Sequence, residues 1–145
     1  MKKAWFLPLA LMALLAGCGD DDEGGDLSFD ASLKESVAGT QGVLKVENHG
    51  DETVTITGSA CPLMLKVYDG DEVVWDQGEG YACILIYSPI NVEPGQEVEL
   101  TTRAVTDAEI LGEELEPGKY SASVYVVGPE YDGPDEFEVG DIELE

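Results

Sequence analysis

The stretch "LMLKVYDGDEVVW", residues 63–75, decides how this chain folds. Leu65 and Val67 stand two apart, the run breaks at Asp69 and Gly70, and Val73 and Trp75 resume the same spacing. Successive side chains of a strand point to opposite faces, so period two on both sides of an Asp-Gly turn predicts an antiparallel hairpin.

The same period recurs on either side. Residues 43–48, "VLKVEN", place Leu44 and Val46 on one face, and residues 53–58, "TVTITG", do the same with Val54 and Ile56. Between them "NHGDE", residues 48–52, carries the Asn, Gly and Asp of a hairpin turn. Residues 82–88, "ACILIYS", are nearly continuous in apolar side chains and read as a strand covered on both faces. "EVELTT" alternates Val98 and Leu100 with glutamates, and "KYSASVYV" alternates Tyr120, Ala122, Val124 and Val126. The last segment sets Phe137, Val139, Ile142 and Leu144 among acids, with one glycine break. Only "TDAEILGEEL", residues 106–115, suggests a helical turn, and it lies in a connection. About seven to nine short strands without a long amphipathic helix predict an all-β fold, an immunoglobulin-like antiparallel β-sandwich, over residues 28–145.

The charge balance narrows the partners. Of 145 residues 31 are Asp or Glu and 7 are Lys or Arg, a formal charge of -24. Nucleic acid and anionic lipid would both be repelled, and neither is expected to bind. Much of the acid falls on outward strand positions, where a solvated face accounts for it. Such acidity suits solubility, loose cation association or life in high salt.

The N-terminus predicts an address. Lys2 and Lys3 precede an apolar run, residues 4–16, shorter than the roughly 20 residues that span a bilayer core. That is the layout of an export signal, and Leu15-Ala16-Gly17-Cys18 resembles the bacterial lipobox. The resemblance implies cleavage before Cys18 and attachment of lipid, palmitate-type acyl chains included, to that cysteine. Residues 1–17 are then a lipoprotein signal peptide, and residues 18–27 a lipidated cysteine with a flexible acidic tether that cannot bury enough apolar surface to order itself. "CGDDDE" further resembles acidic surface-export signals of lipoproteins, so the expected location is the bacterial cell envelope, at the outer membrane or cell surface rather than the inner membrane. Export agrees with the cysteines: beyond Cys18 only Cys61 and Cys83 remain, an even pair in a disulfide-permissive compartment. Closing a loop of this length stabilises a fold by about 3 kcal/mol.

Reactive chemistry is sparse. An enzyme sets a base beside a nucleophile or a metal, and the one histidine, His49, lies in a polar turn. No zinc, EF-hand or phosphate-loop spacing is present, so no catalytic residue, metal or cofactor is expected. "DGDE" at 69–72 reads as a turn and "DDDE" at 20–23 as a tether, each lacking the spaced oxygens that wrap calcium. If Cys83 is bonded to Cys61, then Tyr81, Ala82 and Ile84 form a candidate interaction loop, since a rigid loop loses little entropy on binding. The rival reading makes 83–87 a core strand that the bridge staples.

Four segments in order, "VENHGDETVTIT", "LKVYDGDEVVW", "VEPGQEVEL" and "LEPGKYSASVYV", resemble the strand and turn pattern of the BsuPI-type intracellular proteinase inhibitor family, whose fold is immunoglobulin-like. The resemblance spans about residues 43–127. It implies Asn48 and Gly50 at a turn, Asp69 and Gly70 at a hairpin, and Trp75 in the core. It also implies Pro94-Gly95 and Pro117-Gly118 at strand entries and Tyr120 opening a late strand. The expected function is a non-enzymatic protein-binding module on an envelope lipoprotein, with an unidentified protein partner and the membrane held through Cys18. The alternatives are inhibition of a serine protease, as the resemblance implies, and a structural acidic surface domain.

Overall fold

The computed structural model describes residues 26–80, 83 and 86–145. The expected signal peptide, lipidated Cys18 and nearly all of the tether lie outside the described residues. In chain order the strands are β1 (Leu27–Ser36), β2 (Gly39–Asn48), β3 (Val54–Ser59), β4 (Leu63–Asp69), β5 (Glu72–Asp76), β6 (Tyr87–Val92) and β7 (Glu97–Thr101). A short helix, α1 (Asp107–Leu111), leads to β8 (Gly118–Val126) and β9 (Glu136–Leu144). All pairings are antiparallel: one sheet runs β1-β2-β7, a second β5-β4-β8-β9, and β3 pairs with β6 alone. Among the described residues the fold is a nine-stranded all-β sandwich whose two main sheets follow the ABE and GFCC′ orders of an immunoglobulin-like domain.

The Asp69-Gly70 hairpin is β4–β5, closed by Asp69 opposite Glu72 with Gly70 at φ +60°. Leu63, Leu65 and Val67 point inward from β4 and meet Val126, Val124 and Ala122 of β8 on the same face. Leu44, Val46 and Leu100 supply the facing sheet, and Ile56 and Val92 close the core from the β3–β6 pair. The sheets meet closely at Gly42, where a Cβ would lie 2.2 Å from Val124 Cγ1. Any side chain there would push the layers apart. At the foot of β8 the Tyr120 hydroxyl donates to the Glu116 carbonyl (2.5 Å), the tyrosine-corner contact of sandwiches with this topology. Thr106 caps α1 by accepting from the Glu109 amide (3.2 Å), so the expected helical turn is present in the β7–β8 connection.

Two expectations change. Residues 48–52 do not close a hairpin, because β2 and β3 belong to different sheets. The cause is Asn48, a wholly buried side chain. Its Oδ1 accepts from Gly50 N (2.9 Å), turning the chain away, while Nδ2 donates to the carbonyls of Glu52 (2.7 Å) and Val92 (2.9 Å). Secondly, β1 is an additional strand, and it begins at Leu27, a buried residue at the expected tether boundary. Its apolar face, Phe29, Ala31 and Leu33, is only half buried, and Phe29 packs on Tyr131 and Phe137.

Replacing Asn48 by Ala strands three partners that the side chain now satisfies. We expect Asn48→Ala to cost about 3 kcal/mol or more, read as a fall in the urea midpoint at unchanged slope. A loss below about 1 kcal/mol would show that water replaces the amide.

Candidate interaction surface

The Cys61–Cys83 disulfide is formed. It ties the β3–β4 connection to the segment that leads into β6. The β3 end is itself fastened. Thr57 Oγ1 donates to the Val127 carbonyl (2.5 Å), Glu130 N donates to the Ile56 carbonyl (2.9 Å), and Val127 N donates to Pro62 O (2.9 Å). The Ser59 hydroxyl closes a tight turn on Cys61, accepting from its amide at 3.2 Å. Residues 57–62 are thus held against 127–130 on one side and cross-linked to Cys83 on the other.

Tyr81, Ala82 and Ile84, the expected interaction loop, lie outside the described residues. Half-buried Cys83 is described and belongs to no strand. The described residues of 82–88 do not form the doubly covered strand expected there: Cys83 and Ile86 belong to no strand, β6 begins at Tyr87, and Ile86 and Tyr87 are 62% and 68% exposed. An apolar run signals burial only when neighbours cover it, and β6 pairs with β3 alone.

Tyr87 is exposed without being loose. Its ring lies over Gly58, where a Cβ would sit 2.0 Å from Tyr87 Cε2, and its hydroxyl donates to Glu130 Oε2 (3.2 Å). The Glu130 bond raises the phenol above its ordinary value. An aromatic fixed at both ends, beside an exposed isoleucine and a disulfide, has little conformational freedom left to lose. The glycine was visible in the sequence, but the ring it accommodates was not. Val37, at the tip of the β1–β2 hairpin, and Val73, opposite Tyr68, are also exposed but do not adjoin this pair in sequence.

The outer face of β5-β4-β8-β9 carries a polar network. The Tyr125 hydroxyl donates to Asp76 Oδ1 (2.7 Å), which also accepts from Gly78 N (2.9 Å). Lys66 lies 4.5 Å over the Tyr125 ring and 3.7 Å from Glu136 Oε2. Ser123 donates to Glu136 Oε1 (2.6 Å), and Tyr68 donates to the same oxygen. Burial pushes the Glu136 carboxyl up, but Ser123, Tyr68 and Lys66 together hold it below its ordinary value. Beside this network runs a groove of about 570 Å³ with Ser121 and Ser123 on its lining and Tyr68, Asp71, Glu138 and Asp141 around them.

The remaining sequence candidates are structural. Asp69 and Gly70 serve the hairpin, and Trp75 is half buried against the core. His49 follows β2, with Nε2 2.9 Å from Ser28 Oγ and 3.8 Å from Glu47. Among the described residues no group of three or more His, Cys, Asp or Glu side chains is placed to hold a metal ion. Likewise, no helix among them is long and apolar enough to cross a membrane. No family model matches this chain, and no curated protein matches it.

Burial first, and the Asp76 hydrogen bond second, raise the Tyr125 phenol above its ordinary value of 10.0. A raised folded value contributes stability that is complete below the unfolded value and is lost as pH climbs toward the folded one. The urea midpoint should therefore fall as pH rises above about 10, and fall less steeply in Tyr125→Phe. Parallel declines in the two proteins would dissociate the phenol from the alkaline transition.

Proposed function

We propose that this protein is a lipid-anchored bacterial envelope lipoprotein whose non-enzymatic β-sandwich binds another protein. The observation that carries the binding role is the Ile86–Tyr87 pair, exposed yet fixed by Gly58, Glu130 and the neighbouring disulfide. Hot spots favour aromatic anchors that lose little freedom on binding, and a tyrosine offers both an apolar ring and a polar end. The anchoring rests on the Leu15-Ala16-Gly17-Cys18 sequence behind a basic, then apolar, N-terminus. Attached acyl chains supply membrane affinity of about 0.8 kcal/mol per buried CH₂, so no membrane span is required of the domain. A disulfide suits the same compartment.

A second reading is inhibition of a serine protease. It is favoured by the tie at Cys83, which constrains the segment between β5 and β6, and by the resemblance to the BsuPI-type inhibitors.

Anchoring is tested in the bacterial host: Cys18→Ser should leave an unprocessed chain without lipid. A processed, lipid-bearing Cys18→Ser protein would refute the lipobox. Binding is tested by placing a photo-reactive residue at Ile86, and at Glu99 on β7, in a different sheet, as a control. Discrete adducts are expected from position 86 alone, and Tyr87→Ala should weaken the captured complex about tenfold or more. Equal labelling from both positions would remove this surface from consideration. Stoichiometric inhibition of a subtilisin-like or trypsin-like protease would establish the second reading instead.

A further inference from the structure

A sheet edge is a row of unpaired amides and carbonyls, and proteins ordinarily guard it with bulges, proline, short length or charge. The edges here differ in how well they are guarded. β9 carries Glu136, Glu138, Asp141 and Glu143 and is interrupted by a register shift near Gly140. β5 has five residues and a shift of its own. β3 and β6 share two shifts, and β6 contains Pro89. β7 has five residues, two of them glutamates. β1 differs from all of these, with ten residues in unbroken register against β2, neither glycine nor proline, and charges only at Asp30, Lys34 and Glu35. It ends its sheet, and no described residue pairs with its outer edge.

The groups that face outward follow from the ladder. Thr40 exchanges backbone bonds with Val105 (2.7 and 2.9 Å), and Asn48 N donates to Gln96 O (3.0 Å), so even-numbered residues of β2 turn toward β7. Odd-numbered residues of β2 therefore bond to β1, where the register sets them opposite even-numbered residues. The backbone groups of Phe29, Ala31, Leu33 and Glu35 are left facing the open edge.

We propose that β1 pairs antiparallel with β1 of a second copy, about a two-fold axis through Ser32, joining the two three-stranded sheets into one of six. This register sets Ala31 opposite Leu33 and Phe29 opposite Glu35 of the partner copy, each exchanging both outward backbone hydrogen bonds. On the solvent face it sets Asp30 opposite Lys34 of the other copy, twice by symmetry. Asp30 already lies opposite Lys45, and Lys45 opposite Glu99, so the new pairs extend a row of alternating charge across the sheet. The half-buried Phe29, Ala31 and Leu33 continue one apolar face into the next copy. The same complementarity selects a second copy over an arbitrary strand, and this is the long edge at which so acidic a chain meets least repulsion from its twin. The pairing uses no residue of the Ile86–Tyr87 surface.

Ser32 lies at a non-hydrogen-bonded site of the proposed pair, where opposite Cα atoms are about 4.5 Å apart and a disulfide can form. In the full-length protein, Ser32→Cys should give a covalent dimer on mild oxidation, while Ser28→Cys should not, since its opposite number is Ser36. Sedimentation equilibrium should show Asp30→Lys and Lys34→Asp each weakening the dimer about tenfold, with the double exchange restoring it. A monomer at every concentration, a Ser28→Cys cross-link equal to that of Ser32→Cys, or a dimer indifferent to both single reversals would each overturn the proposal.

Discussion

The structure depends on one buried amide. Asn48 is wholly enclosed at the end of β2, where the chain must leave the first sheet, and it satisfies every polar group it carries. Its backbone donates to Gln96 (3.0 Å) and accepts from Gly95 (2.7 Å), fixing the Pro94-Gly95 turn that feeds β7. Its side chain holds the Glu52 carbonyl and the last residue of β6. The turn at 48–52 and the distant stretch 92–96 therefore meet on one residue. An apolar side chain of the same volume would leave at least three buried or half-buried groups without partners, each costing about 1–3 kcal/mol.

That constraint determines where apolar side chains are left exposed. Since β2 passes β3 out of the first sheet, β3 and β6 form a separate pair flanking the sandwich, and the disulfide fastens its far end. A two-stranded ribbon is marginally stable alone, and here hydrogen bonds with Val127 and Glu130, either side of a bridge between Thr57 and Pro129, hold it to the segment that follows β8. Ile86 and Tyr87 stand where coverage by the main sheets stops. Exposure and rigidity, which ordinarily oppose one another, coincide at Tyr87 because Gly58 has no side chain to displace its ring.

The acidic charge is distributed rather than focused. On β9 it lies in an outward row, and Ser123, Tyr68 and Lys66 account for the lowered carboxyl of Glu136. Negative charge of this kind keeps copies apart and guards edges. Against that background the near-neutral β1 stands out, with Asp30 and Lys34 symmetrically disposed about Ser32.

Much of the architecture was written into the chain. Alternation around Asp69-Gly70, in "KYSASVYV" and in the final segment located β4, β5, β8 and β9, because a half-buried strand must separate core from solvent, although a register shift in β5 turns Val73 outward while Trp75 packs on the core. The even pair of cysteines anticipated the disulfide. Residues 27–36 alternate as regularly as 43–48, but their small polar neighbours and half-buried apolar face give a fainter signal beside an acidic segment. Composition alone could not tell whether "CILIY" was core or surface, since that depends on which strands come to cover it. Nor could a turn-like "NHGDE" reveal that it joins two sheets rather than two neighbours. Local pattern determined the strands and the turns, whereas partner choice, the burial of Asn48 and the exposure of Tyr87 were decided only in the tertiary structure, because they arise from contacts between segments far apart in sequence.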